Sequence, residues 1–125
     1  LGSEKSICVH VEDVTEDFTP YYNGLRLAFE KIDEWKPDLV IYQAGADPHV
    51  DDPFGTVGLT TEQMRERDRI VFDELRARNI PTMFVLAGGY QEPIKELLMP
   101  LHVNTFEEAA LAYAGSEVPT RWFRR

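Results

Sequence analysis

Apolar and polar residues alternate through Ile7 to Val11, a period of two that predicts a short β-strand. The period then lengthens. Leu25, Ala28, Phe29, Ile32 and Trp35 or Lys36 recur at helical spacing, predicting a helix from about Tyr21 to Glu34 that Pro37 stops. Asp38 to Gln43 contains the unbroken run Leu39-Val40-Ile41-Tyr42, the pattern of a parallel strand covered on both faces. Thr60 and Gln63 form a capping box that opens a second helix running to Arg78, with Ile70, Val71, Phe72 and Leu75 on its buried side. Asn79 suits the left-handed position after that helix, and Pro81 follows it. Thr82 to Ala87 is a third strand. Pro93 suits the first turn of a helix to about Met99, and Thr105 with Glu108 reads as a capping box for another to about Ala114. The C-terminal VPTRWFRR has no clear pattern.

Strand and helix therefore alternate as β-α-β-α-β-α, which predicts an α/β fold. It is an open parallel sheet with flanking helices and right-handed crossovers. The chain has 125 residues and a mass of 14.4 kDa, enough for a single domain with its own core. Leu1-Gly2-Ser3 and the residues to about position 6 read as a linker or a scar. The only cysteine, Cys8, excludes a disulfide framework, reads as a small core or sheet-face residue, and makes a cytoplasmic location the expectation. With 22 acidic and 13 basic residues the net charge is −9, the wrong sign for a phosphate-backbone partner, so no nucleic acid is expected. The apolar runs are too short to span a bilayer, so no membrane association is expected either.

The chemistry concentrates where two strands end. After the first unbroken apolar run, QAGADPHVDDPFG places Asp47 behind small residues, and after the second, MFVLAGGY places Tyr90 behind Gly88 and Gly89. Ligands of open α/β sheets bind at such carboxyl ends. The connection from Ala44 to Leu59 is also long for a strand-to-helix loop, and loops of that length tend to carry function.

The stretch KPDLVIYQAGADPHVDDPFGTVGLT followed by FVLAGGYQ resembles the histone deacetylase family, including its acetylpolyamine amidohydrolase and class IV branches. The resemblance covers about Leu25 to Ala110 and rests on paired motifs: Pro-Asp before a strand, Gly-x-Asp, Asp-Pro-x-Gly, and later Gly-Gly-Tyr. It implies a place in an arginase/deacetylase-like three-layer sandwich. It also implies zinc-dependent hydrolysis of the amide of an acetylated lysine, polyamine or similar amine. Asp47 matches one of the family's two metal-binding aspartates, and Tyr90 the tyrosine that hydrogen-bonds the substrate carbonyl. Carboxylate oxygen suits zinc, and a phenol over a carbonyl stabilises developing charge. Gly88 and Gly89 would let the backbone line the substrate channel.

The family's tandem histidines and Asp-x-His strand end are absent, so the chain matches the C-terminal part of a deacetylase catalytic domain. It is expected to be inactive alone and to hold zinc weakly or not at all. An uncovered sheet edge or helix-packing surface would then meet either the N-terminal part of the domain or a second copy.

His49 reads as a loop histidine, Asp51 and Asp52 as caps of the turn into Pro53 and Gly55, and Glu12, Asp13, Glu16 and Asp17 as a solvated acidic loop. His10 and His102 match no family motif. Two alternatives compete with the hydrolase: a phosphoacceptor module, disfavoured because Gln43 stands where the acceptor aspartate would, and a non-catalytic binding domain that keeps the fold.

Overall fold

The computed structural model describes residues 6–11 and 14–114. Helix α1 spans Thr19–Trp35, strand β1 Val40–Ala44, helix α2 Thr61–Ala77, strand β2 Thr82–Leu86 and helix α3 Met99–Ala112, the last entered through a π-helical turn at Ile94–Leu98. Among the described residues no helix is long and apolar enough to cross a membrane.

Local signals account for most of these boundaries. Lys36 ends α1 in the left-handed conformation, φ 49°, where its N–H reaches the Ile32 carbonyl and Pro37 blocks continuation. At α2 the Thr60 hydroxyl accepts from Gln63 N at 3.2 Å and the Gln63 side chain accepts from Thr60 N at 2.8 Å, the reciprocal capping box. Asn79 takes the left-handed position beyond that helix, φ 55°.

The strands pair parallel and in register, Val40 with Thr82 through Ala44 with Leu86. The chain crosses between them through α2, so the α/β reading holds, with two strands among the described residues. Alternation along β1 and β2 sends Val40, Tyr42 and Phe84 to one face, where all three helices lie. Phe29, Val71 and Leu75 pack with Val40 and Tyr42, while Phe72 meets Tyr42 and Phe84 edge-on at 5.7 and 5.4 Å. Phe106 of α3 meets Phe84 at 5.0 Å. A second cluster of Val14, Ala46, Leu59, Met64 and Leu101 fills the space beneath the loop after β1.

Four expectations are corrected. Residues 7–11 form no strand: Val9 lies against Gly24 of α1, 3.1 Å from where a Cβ would stand, and among the described residues no sheet edge pairs with it. Cys8 on that segment is consequently exposed, not buried. The apolar run of β1 is covered on one face only, with Ile41 58% and Met83 48% exposed on the other. The described residues thus build two layers of the expected three. Finally, Thr105 and Glu108 cap nothing. They sit inside α3 and face α2, Thr105 donating to Asp68 at 2.6 Å and Glu108 pairing with Arg65 at 2.5 Å. Spacing of three residues serves a capping box and a shared helix face equally well.

Leu1 to Lys5, Glu12, Asp13 and the C-terminal VPTRWFRR lie outside the described residues, while Glu16 and Asp17 are exposed, as a solvated acidic loop requires.

Candidate functional site

The in-register ends of β1 and β2, Ala44 beside Leu86, bring the two loops with reactive side chains to one edge of the sheet. Asp47 stands three residues past β1 and Tyr90 four past β2. Ala46 N donates to Gly88 O, joining the loops beyond the last strand pair.

Asp47 is half-buried and held by glycine. A Cβ on Gly88 would stand 2.7 Å from the Asp47 Cγ and 2.8 and 2.9 Å from its two oxygens; one on Gly45 would meet Oδ1 at 2.5 Å. Real Cβ atoms essentially never stand that close, so a side chain at either glycine would push the carboxylate from the place it occupies. Gly89 has φ 150°, and a Cβ there would collide with Ala46 and Leu98. Among the described residues no hydrogen bond engages the Asp47 oxygens. They open onto a cleft of about 310 Å³ lined by Tyr21, Tyr42, Gly45, Pro48, Arg67 and Gly88, among others.

Tyr90 is 54% exposed and faces a neighbouring cleft with Phe54, Gly89, Gln91 and Leu98. Its ring meets Phe54 edge-on at 5.2 Å. Its backbone N donates to Asp52 Oδ2 at 2.8 Å, and the buried Gln91 Nε2 beside it has no hydrogen-bond partner among the described residues.

His49 keeps the role of a loop residue. Its Nδ1 accepts from Asp51 N and its Nε2 lies 3.1 Å from Thr61 Oγ1, so both ring nitrogens are engaged and the proton sits on Nε2. Asp52 Oδ1 accepts from Phe54 N and Gly55 N, the turn cap expected of it, while Asp51 is exposed. His10 is exposed on the 6–11 segment, and His102 lies on α3 with its pKa pushed down, chiefly by burial and next by Arg67.

The floor of the Asp47 cleft is a buried polar network. Arg67 Nη1 donates to Gly45 O at 2.8 Å, bracing the turn that leads to Asp47, and its Nε donates to Asp68 Oδ1 at 2.8 Å. Asp68 also accepts from the Tyr42 hydroxyl at 2.5 Å and from Thr105 at 2.6 Å. Burial drives the Tyr42 pKa far above the usual phenol value, with Arg67 opposing and Asp68 adding to it. Burial likewise raises Tyr21, against the pull of Arg67. Burial also works against the charge on Arg67, but Tyr42, Asp68 and Tyr21 outweigh it and its pKa rises.

Sequence reasoning named Asp47, Tyr90, Gly88 and Gly89 but passed over Arg67, Asp68, Tyr42 and Tyr21. A signal was present: Met64, Arg67, Asp68, Val71, Phe72 and Leu75 form one helical stripe, and two opposite charges inside an apolar stripe mark a buried pair.

A catalytic zinc needs three protein ligands and an open position. The cradled, unpaired Asp47 carboxylate suits one of them. Among the described residues no three His, Cys, Asp or Glu side chains converge, so they do not complete such a site.

The family model for the histone deacetylase domain matches residues 1–106. Similar relatives include an uncharacterized protein of Picosynechococcus, 40% identical over 63 residues, which are 50% of this chain and 21% of that one. Histone deacetylase 2 of Arabidopsis thaliana is 38% identical over 58 residues, 46% of this chain and 15% of the relative. Among solved structures, acetylpolyamine aminohydrolase from Burkholderia pseudomallei superposes with a TM-score of 0.62 at 21% identity, over 75% of this chain and 25% of that one. At that identity the likeness is one of fold. This chain spans a quarter or less of each.

Proposed function

This chain belongs to the histone deacetylase domain family, and on that premise we propose that it is the C-terminal part of a zinc-dependent deacetylase acting on an acetylated lysine, polyamine or similar amine. The observation that carries the reading is the cradle: a carboxylate with no hydrogen bond among the described residues fills space left by Gly45 and Gly88 at the strand ends, with Tyr90 on the same edge. In the complete enzyme Asp47 supplies one metal ligand, and zinc would polarise the amide carbonyl and activate water. Tyr90 donates its hydroxyl proton in a hydrogen bond to the carbonyl oxygen as negative charge gathers there. Gly88 and Gly89 keep that approach clear of side chains, and Arg67 fixes the turn carrying Asp47 through the Gly45 carbonyl. The 125-residue chain supplies one ligand of three, so alone it binds zinc weakly and turns over no substrate.

The test is an NMR titration of the chain, first with zinc and then with an N-acetylated diamine or an acetyl-lysine peptide. Zinc is expected to move the Asp47 and Gly88 amide resonances, weakly and not in Asp47→Ala, and the acetylated ligand to move Tyr90. Zinc that leaves Asp47 and Gly88 unmoved would remove the metal role. Chelator-sensitive turnover by the chain alone would overturn its incompleteness.

A further inference from the structure

We propose that Asp52 is a positioning residue, a strut whose carboxylate fixes the loop of Tyr90 against the loop of Asp47. The inference deepens the deacetylase reading and rests on it for its catalytic meaning.

Asp52 is 6% exposed and its two oxygens do different work. Oδ1 closes its own turn, accepting from Phe54 N at 2.9 Å and Gly55 N at 3.1 Å. That alone is an Asx turn, for which asparagine or serine would also serve. Oδ2 instead leaves the loop and accepts from Tyr90 N at 2.8 Å, a residue 38 positions away. Three N–H groups thus converge on one carboxylate, and they replace the water that burial removes from it. Asparagine has one acceptor oxygen and cannot satisfy both sides.

The surroundings make the bond a fixed separation. Gly55 returns the loop so closely onto the Asp47 carbonyl that no Cβ fits between them, which ties the Asp52 turn to the backbone of Asp47. Gly89 presses against Ala46 on the other side, which delivers the Tyr90 N–H to the carboxylate. Phe54, whose own N–H bonds to Asp52, then lays its ring edge-on to Tyr90. A tyrosine more than half exposed is thereby held by its backbone and by one ring contact, both routed through Asp52.

The experiment is amide hydrogen exchange by NMR on the 125-residue chain, unaltered and as Asp52→Asn and Asp52→Ala. In Asp52→Asn the single carbonyl keeps the local turn, so Phe54 and Gly55 hold their protection while the Tyr90 amide exchanges about tenfold faster or more, as loss of one charge-assisted bond predicts. Val71, Phe72 and Leu75 serve as the unaffected reference. A residue that merely capped its turn would show the opposite: Phe54 and Gly55 exchange faster in Asp52→Ala and Tyr90 does not change in either variant. That result overturns the strut. If neither variant folds, the scalar coupling across the hydrogen bond from Tyr90 N to the Asp52 carboxyl carbon is read on the unaltered chain, where its presence supports the strut and its absence overturns it. Zinc titration of Asp47→Ala separates the two ideas. The deacetylase reading fails if zinc shifts are the same with and without the Asp47 carboxylate, and the strut fails only if Tyr90 is indifferent to Asp52.

Discussion

The two faces of the sheet are built from the same apolar strands and meet opposite surroundings. On one, Val40, Tyr42 and Phe84 are closed over by α1, α2 and α3, with the Arg67–Asp68 pair sealed beneath the turn that carries Asp47. On the other, Ile41, Gln43, Met83 and Val85 are open, although Ile41 and Met83 stand directly opposite each other in the register. Strand composition is therefore no guide to which face this chain covers. Helix coverage decides it, and each helix covers by its own stripe. Among the described residues, one apolar face of the strand pair is covered and the other is left exposed.

The sharpest way to break the comparison is through the charge sealed on the covered side. Asp68→Ala leaves the Arg67 guanidinium buried without its carboxylate and frees Tyr42 and Thr105 of their acceptor. It should cost about 3–5 kcal/mol in urea unfolding, and a loss below about 1 kcal/mol would mean the network is not what secures that face. Leu75→Ala, a change of pure packing on the same side, should cost about 2–5 kcal/mol, with the lower end applying if α1 settles into the gap. Alkali attacks the covered face selectively. The folded pKa of Tyr42 is raised above the unfolded value of 10.0, so its share of stability is full below that pH and falls as pH rises past it, because the unfolded tyrosine ionises first. The slope should reach at most about 1.4 kcal/mol per pH unit, and Tyr42→Phe should flatten it; an unchanged slope in that variant would assign alkaline loss elsewhere. Smallest is the open side, where Ile41→Thr and Met83→Thr should change stability by no more than about 0.5 kcal/mol. If that face pairs with a second copy, the same double variant should lower the mass seen by light scattering at high concentration, and an identical mass would exclude pairing through it.

What could be seen in advance follows the range of the interaction. The capping box at Thr60, the left-handed Asn79 and the stop at Pro37 act within a few residues, and each stands where its neighbours required. Residues 7–11 alternate well, but a strand needs an edge to join, and that is a property of distant chain. Thr105 and Glu108 satisfied a local rule and then obeyed a tertiary one, turning to Asp68 and Arg65. At the candidate site, the strand-end placement of Asp47 and Tyr90 was legible because small residues follow each apolar run, whereas Arg67 and Asp68 lie among helical charges that usually face water. Asp52 was legible only in half: the turn it caps is local, while Tyr90 lies on another loop.

The parallel pairing also sets a schedule. Val40 cannot pair with Thr82 until the residues between them exist, the 17 of α2 among them. At about 5–20 residues per second of synthesis, β1 waits on the order of two to eight seconds for its partner. During that interval only α1, made earlier, lies against Val40 and Tyr42, and the strand has no neighbour beside it. The Thr60–Gln63 box needs only its own turn, so α2 can form soon after it is made and add Val71, Phe72 and Leu75 to the cover that α1 gives Val40 and Tyr42.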